Sequence, residues 1–205
     1  MGQAPSRKVQ ESVRRLCRRQ GGTIRTSQLL RAGIHPRDVY ALRDAGFLEP
    51  LARGLYRLAG LPPLSNPDLV TVALKVPESV VCLVSALAFH QLTTQIPHEV
   101  SIAVPRGTEA PRLRFPPIRV FWFSRSAMTE GIEVHELDGA KVRVFGPEKT
   151  LADCFKYRNK IGLEVALEAL KLFRGRRRMK VDLLLKYAAL CRIERIMRPY
   201  IEAIL

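Results

Sequence analysis

Acidic residues are scarce in this chain: 19 Asp and Glu stand against 34 Lys and Arg, a formal net charge of +15. Such an imbalance argues against a partner that is itself basic and favours a polyanion, because each phosphate that a cation neutralises releases counterions. Cysteines are few and scattered. Cys17, Cys82, Cys154 and Cys191 include no CxxC pair, which excludes the usual zinc spacing and a disulfide framework. Cysteines spread over apolar segments read as small buried hydrophobes in a reducing compartment. Long apolar runs are missing as well. The longest, "SVVCLVSALAFHQL" (79–92), is interrupted by Ser and His and too short to span a bilayer. The opening "MGQAPSRKVQ" has no apolar core of the kind an export signal carries, so a cytoplasmic protein without membrane contact is expected. No paired carboxylates, Ser-His-Asp order or Gly-rich phosphate loop can be placed, and His90, His98 and His135 have no metal-ligand spacing. The expectation is therefore a non-enzyme with no metal and no cofactor.

What is present is ordinary globular composition, 47% hydrophobic and 26% charged, enough for a buried core. The charge is uneven. Residues 1–60 hold 12 Lys and Arg and 4 Asp and Glu, whereas residues 61–205 hold 22 and 15. Per residue the first segment is more than twice as basic, so the main electrostatic footprint belongs there. Pro, Gly, Ser and Asn cluster in "GLPPLSNPDL" (60–69), as linkers do. Two domains are predicted, 1–60 and 61–205.

In the first, "SRKVQESVRRLCRRQ" (6–20) places Val9, Val13, Leu16 and Cys17 at helical spacing and Arg14, Arg15, Arg18 and Arg19 on the other turns. "TIRT" reads as a short extended piece, and Thr26 or Ser27 is suited to cap a second helix, "SQLLRAG", that Gly33 closes. Pro36 favours the first position of a third helix over about 36–45, with Val39, Leu42 and Ala45 inward. Then the period changes. Phe47, Leu48 and Leu51, a turn at Ala52–Gly54, and Leu55, Tyr56 and Leu58 read as two short strands. Three helices followed by a hairpin predict a winged helix-turn-helix.

The second domain begins with a helix at 67–75, the apolar "SVVCLV" and the helical "SALAFHQL". Strand-like alternation follows at 98–104, 118–123, 132–137 and 141–145, and four helical stretches follow from Pro147 onward. The predicted class is α+β: an N-terminal winged helix-turn-helix and a larger α+β domain ending in several helices.

A helix that reads DNA needs polar side chains on one face, able to reach base edges in the major groove. His35, Arg37, Tyr40 and Arg43 supply them on the third helix, with Asp38 beside them, and Arg37 and Arg43 suit bidentate pairing with guanine. Arg53 and Arg57, at the hairpin turn and second strand, are expected to meet a phosphate backbone or a minor groove. Arg25 and Ser27, at the start of the second helix, complete the candidate DNA contacts. A secondary basic patch is read in "FRGRRRMK" (173–180), with Arg174, Arg176, Arg177, Arg178 and Lys180. Its alternative is a solvated interhelical loop. In "EKTLADCFKYRNK" (148–160), Thr150 and Asp153 share a helix face and are read as a hydrogen-bonded brace between helix and sheet. His90 is expected to be a hydrogen-bonded helix histidine, and the Phe121–Phe123 strand to turn an aromatic face to the core.

Three motifs, in order, resemble the AbiEi-type antitoxins and related regulators. The first is "GGTIRTSQLLRAGIHPRDVYALRDAGFLEPLARGLYRL" (21–58), similar to the family's N-terminal winged helix through Leu42, Gly46, Leu48, Arg53, Gly54 and Tyr56, with Pro50 where a basic residue is common. The second is "SALAFHQLTTQIPHEVSIAVPRG" (85–107), with Gln91 in place of Gly. The third is "VFGPEKTLADCFKYRNKIG" (144–162), with Lys149 in place of Arg. The resemblance implies a transcriptional autorepressor binding inverted repeats in its own promoter as double-stranded DNA. It also implies a second domain serving as antitoxin to a nucleotidyltransferase-like toxin in a type IV toxin–antitoxin system. A monomer in solution, or a weak dimer on the repeat, follows from that arrangement. Two other readings stand beside it: a nucleic-acid-processing enzyme whose winged helix positions substrate, and a protein-interaction module for an acidic partner.

Overall fold

The computed structural model describes residues 6–175 and 180–203. The architecture is α+β, with a three-stranded and a five-stranded sheet. The chain divides into two compact units. The first reaches Leu74 and includes Glu136–Lys141; the second takes Lys75–His135 and the residues from Val142.

The first unit runs α1 (Arg7–Arg18), β1 (Thr23–Arg25), α2 (Thr26–Arg31), α3 (Pro36–Asp44), β2 (Leu48–Ala52), β3 (Leu55–Leu58) and most of α4 (Pro67–Lys75). Its strands lie in the order β1-β3-β2, all antiparallel, with Thr23 opposite Arg57 and Glu49 opposite the same Arg57. Pro50 is tolerated because β2 is an edge strand and a bulge follows between Pro50 and Ala52. Val13, Cys17, Ile24, Leu29, Ile34, Val39, Leu42, Leu48, Tyr56 and Leu58 form one core. Leu29, Leu42 and Leu48 are fully buried, and each contributes roughly 1.5–3 kcal/mol by leaving water. Ala45, expected inward, is exposed: α3 ends at Asp44, and Gly46 (φ +68°) turns the chain so that Phe47 N–H donates to Leu42 O. The second helix is capped by neither Thr26 nor Ser27. Arg25 holds the N-cap position, and its backbone N–H donates to Gln28 Oε1 at 2.8 Å.

The second unit contains β4 (Val80–Val81), α5 (Leu83–Phe89), β5 (Val100–Pro105), β6 (Ile118–Phe123), α6 (Arg125–Thr129), and parts of β7 (Ile132–Leu137) and β8 (Ala140–Phe145). It continues with α7 (Pro147–Lys156), α8 (Arg158–Ile161), α9 (Leu163–Arg174), α10 (Val181–Leu190) and α11 (Glu194–Glu202). The sheet order is β6-β5-β4-β8-β7, with β4–β5 antiparallel and both β4–β8 and β5–β6 parallel. Helix α7 is central and packs against α5, α9 and α10. The stretch expected as one helix over 147–160 is two, separated at Tyr157. The apolar "SVVCLV" supplies the two-residue strand Val80–Val81 and, from Leu83, the start of α5. Among the described residues no helix is long and apolar enough to cross a membrane, and no group of three or more His, Cys, Asp or Glu is placed to hold a metal ion.

Candidate nucleic-acid interface

Helix α3 separates its residues cleanly. Val39 and Leu42 are buried, while Arg37, Tyr40 and Arg43 face solvent, Tyr40 with 53% of its surface exposed. Local chemistry starts this helix firmly. Pro36 occupies its first turn, Asp38 puts an acid near the positive end of the helix dipole, and His35 is the N-cap. The His35 Nδ1 accepts from Arg37 N–H at 3.2 Å. The ring therefore has a structural task besides any contact with a ligand. Arg43 lies over the Tyr40 ring at 5.2 Å and donates from Nε to Asp44 Oδ1 at 2.8 Å. This pair is exposed, and exposed pairs contribute only about 0–1 kcal/mol, so exchanging Asp44 for another acceptor costs Arg43 little.

Arg53 stands exposed in the β2–β3 turn, where Gly54 takes a φ of +71° that a side chain resists. Ser27 is exposed on α2. Arg25 is half-buried, and its guanidinium donates to Leu74 O. Its reach is thus occupied within the first unit. Arg57 requires a correction. Alternation along "LYRL" predicts an outward side chain, but β3 is the central strand and all four of its residues are buried. Arg57 is 9% exposed and donates to Pro62 O, so it is not presented to a flanking backbone. On the secondary patch, Arg174 ends α9 and Lys180 precedes α10, both exposed. Arg176, Arg177 and Arg178 lie outside the described residues.

Helix α1 adds a feature absent from the expected contacts. Its core face is Val13 and Cys17, with Val9 and Leu16 partly buried, and its exposed face carries Arg7, Lys8, Arg14, Arg15, Arg18 and, at the C-cap, Arg19. Only Glu11 interrupts these cations. The sequence displayed this stripe openly; what it could not show was that every one of the six remains exposed.

In the second unit, Lys149 and Asp153 were missed as a pair. Both are fully buried, with Nζ 2.5 Å from Oδ2, and the ammonium lies over the rings of Phe145 (4.4 Å) and Phe123 (5.1 Å). Burial pushes the Asp153 carboxyl above its usual range against the pull of Lys149. Cys191 donates its thiol to Asp153 Oδ1 at 3.3 Å. The spacing of four residues was the available signal. Thr150 donates to Phe145 O at 3.0 Å, and His90 Nε2 meets the same carbonyl at 2.8 Å. Thr150 thus ties α7 to the end of β8, whereas Asp153 serves Lys149 and Cys191. Phe121 and Phe123 turn to the core; Trp122, on the opposite face, is 42% exposed and donates from Nε1 to Thr108 O at 3.0 Å. These buried groups are committed to one another.

Comparison with curated proteins finds no significant match. Among solved structures, the chain is similar to the crystal structure of the RV2827C protein from Mycobacterium tuberculosis, with a TM-score of 0.52 and 13% identity. That similarity covers 98% of this chain and 83% of the other, and it speaks for a shared fold. The family match covers the first of the three motifs recognised in the sequence and neither of the later two. Over residues 11–59, the segment that holds α3 and the hairpin, the chain matches the family described as transcriptional regulator, AbiEi antitoxin.

Proposed function

We propose that the chain is a non-enzymatic, DNA-binding transcriptional regulator in which the first unit acts as a winged helix-turn-helix. In this reading α2 and α3 are the helix pair, and the β2–β3 hairpin is the wing. The observation that carries it is α3, capped and anchored by Val39 and Leu42, with Arg37, Tyr40 and Arg43 all turned to solvent. Such a face fits a major groove. Arg37 and Arg43 read bases, Tyr40 and Ser27 add polar contacts, His35 fixes the helix start, and Arg53 meets the flanking backbone. Arg25 and Arg57 have no part in the contact, given their bonds to Leu74 and Pro62.

A single unit reads a short site, so two copies on an inverted repeat in the protein's own promoter are the natural arrangement, with the chain otherwise a monomer. The second unit is the antitoxin part, acting against a nucleotidyltransferase-like toxin in the cytoplasm. That assignment rests on the AbiEi family match of the first unit. Gel shifts with DNA from upstream of the gene test the interface. Arg37→Ala and Arg43→Ala should each weaken the preferred site by roughly 5- to 150-fold, the equivalent of about 1–3 kcal/mol for a bidentate guanine contact, and alter sequence preference. Arg53→Ala should weaken all duplexes alike. Unchanged binding in all three variants removes the assignment. Co-expression with the neighbouring gene's product tests the antitoxin role, and turnover of DNA or RNA in Mg²⁺ would favour the enzyme reading instead.

A further inference from the structure

Helix α1 begins against its own electrostatics, although Arg15 and Arg18 in its last turn suit the negative end of the dipole. Arg7 and Lys8 sit at the positive end of the helix dipole, and the first turn has no acid to offset them. Arg14 and Arg18 are four residues apart, as are Arg15 and Arg19, and like charges at that spacing repel across one turn. Glu11 is within a turn of Arg7, Lys8, Arg14 and Arg15, and it borders one shallow hollow with Arg14, Arg15, Arg18 and Arg19. Yet among the described residues no ion pair joins any of these side chains. The nearest interaction is Arg14 over the Phe47 ring at 5.3 Å. A helix that only had to cover the core through Val13 and Cys17 would gain by alternating its signs.

From this we infer that the α1 face binds the phosphates of duplex DNA without reading sequence, alongside α3. The inference rests on the DNA-binding reading above. Two observations favour phosphate over a protein partner. All residues of the exposed arc are charged, with no aromatic or apolar anchor of the kind protein interfaces concentrate their energy in. Arg7 to Arg19 also spans about 18 Å at 1.5 Å per residue, a length of duplex that carries roughly ten phosphates on its two strands. The arc has no neutral amide to read base edges, so it fixes register and affinity and leaves preference to α3.

The test uses the full-length chain with all four of Arg14, Arg15, Arg18 and Arg19 changed to Gln, and separately to Lys. Two duplexes of equal length, one from the upstream region and one unrelated, are titrated across a range of KCl. With Gln, the slope of log affinity against log salt should fall by about 2–4, at roughly 0.9 per lost contact. Affinity at low salt should drop about tenfold or more on both duplexes alike. Lys at the same positions should restore the slope, since point charge suffices. Circular dichroism should show the Gln variant folded, so that a lower slope reports lost phosphate contacts. An unchanged slope, or a failure of Lys to restore it, overturns the α1 assignment and leaves α3 standing. If the parent chain binds neither duplex, both assignments fall.

Discussion

Helices α1 and α7 carry opposite charges at the same spacing, four residues apart, and use them in opposite ways. In α1, Arg7, Glu11 and Arg15 are placed for ion pairs that are not made, and the helix keeps its cations in water. In α7, Lys149 and Asp153 close to 2.5 Å with no exposed surface, inside a run of buried residues from Glu148 to Phe155. The contrast follows from solvation. A charge left in water costs little and stays available to an outside partner. A charge removed from water costs several kcal/mol, and it persists only where a counter-ion and hydrogen bonds satisfy it. The helix with unpaired charges keeps them in solvent, where the proposed phosphate contact would find them; the helix with paired charges organises its own unit.

The largest test of that contrast is Asp153→Ala, which strands an ammonium in the core. It should destabilise the chain by about 3–5 kcal/mol in urea unfolding. Lys149→Met combined with Asp153→Leu should recover most of the loss, because an apolar pair of similar volume replaces the ions. A single variant as stable as the parent would dissolve the distinction between the helices. Thr150→Val comes next, at about 1 kcal/mol. The Phe145 carbonyl keeps its contact with His90, so the cost should rise beyond the sum when His90→Phe is added. The finest probe compares the cysteines that the two helices bury. Desolvation pushes Cys17 on α1 up to about 11 and Cys154 on α7 well above the usual thiol range, so neither exposes thiolate at neutral pH. Both should resist a maleimide until unfolding, Cys17 yielding before Cys154. Prompt labelling of Cys154 would contradict its burial.

Much of this was legible in the sequence because period reports burial. Val13 with Cys17, Val39 with Leu42, and the alternation of 118–123 placed their elements to within a few residues. Position within a sheet has no such local signature. Arg57 alternates like an outward residue, but β1 and β2 both pair with its strand and cover it. The parallel pairing of β4 with β8 escaped because it joins segments distant along the chain, and that of β5 with β6 because strand direction leaves no mark on alternation. At the site, exposure was readable for Arg37, Tyr40 and Arg43, whereas the capture of Arg25 by Leu74 depends on a carbonyl 49 residues away. Asp153 reads from the sequence as a brace between helix and sheet, but its partner Lys149 does not, because nothing local reveals that a lysine faces inward.

The two-residue strand β4 also sets an order of assembly. It lies at the middle of the larger sheet, yet Val81 must wait for Ile102 on one side and for Val144 on the other. Both flanks are supplied later in synthesis, and the second, a parallel contact, only after most of the sheet has been made. Pairings this distant in sequence slow folding, since loop closure costs entropy before the contact repays it. A nascent chain that has not yet delivered residue 144 therefore holds an open sheet with Val80 and Val81 half-paired. In that interval, rather than in the finished protein, the apolar segment 79–92 is the region at risk of aggregation.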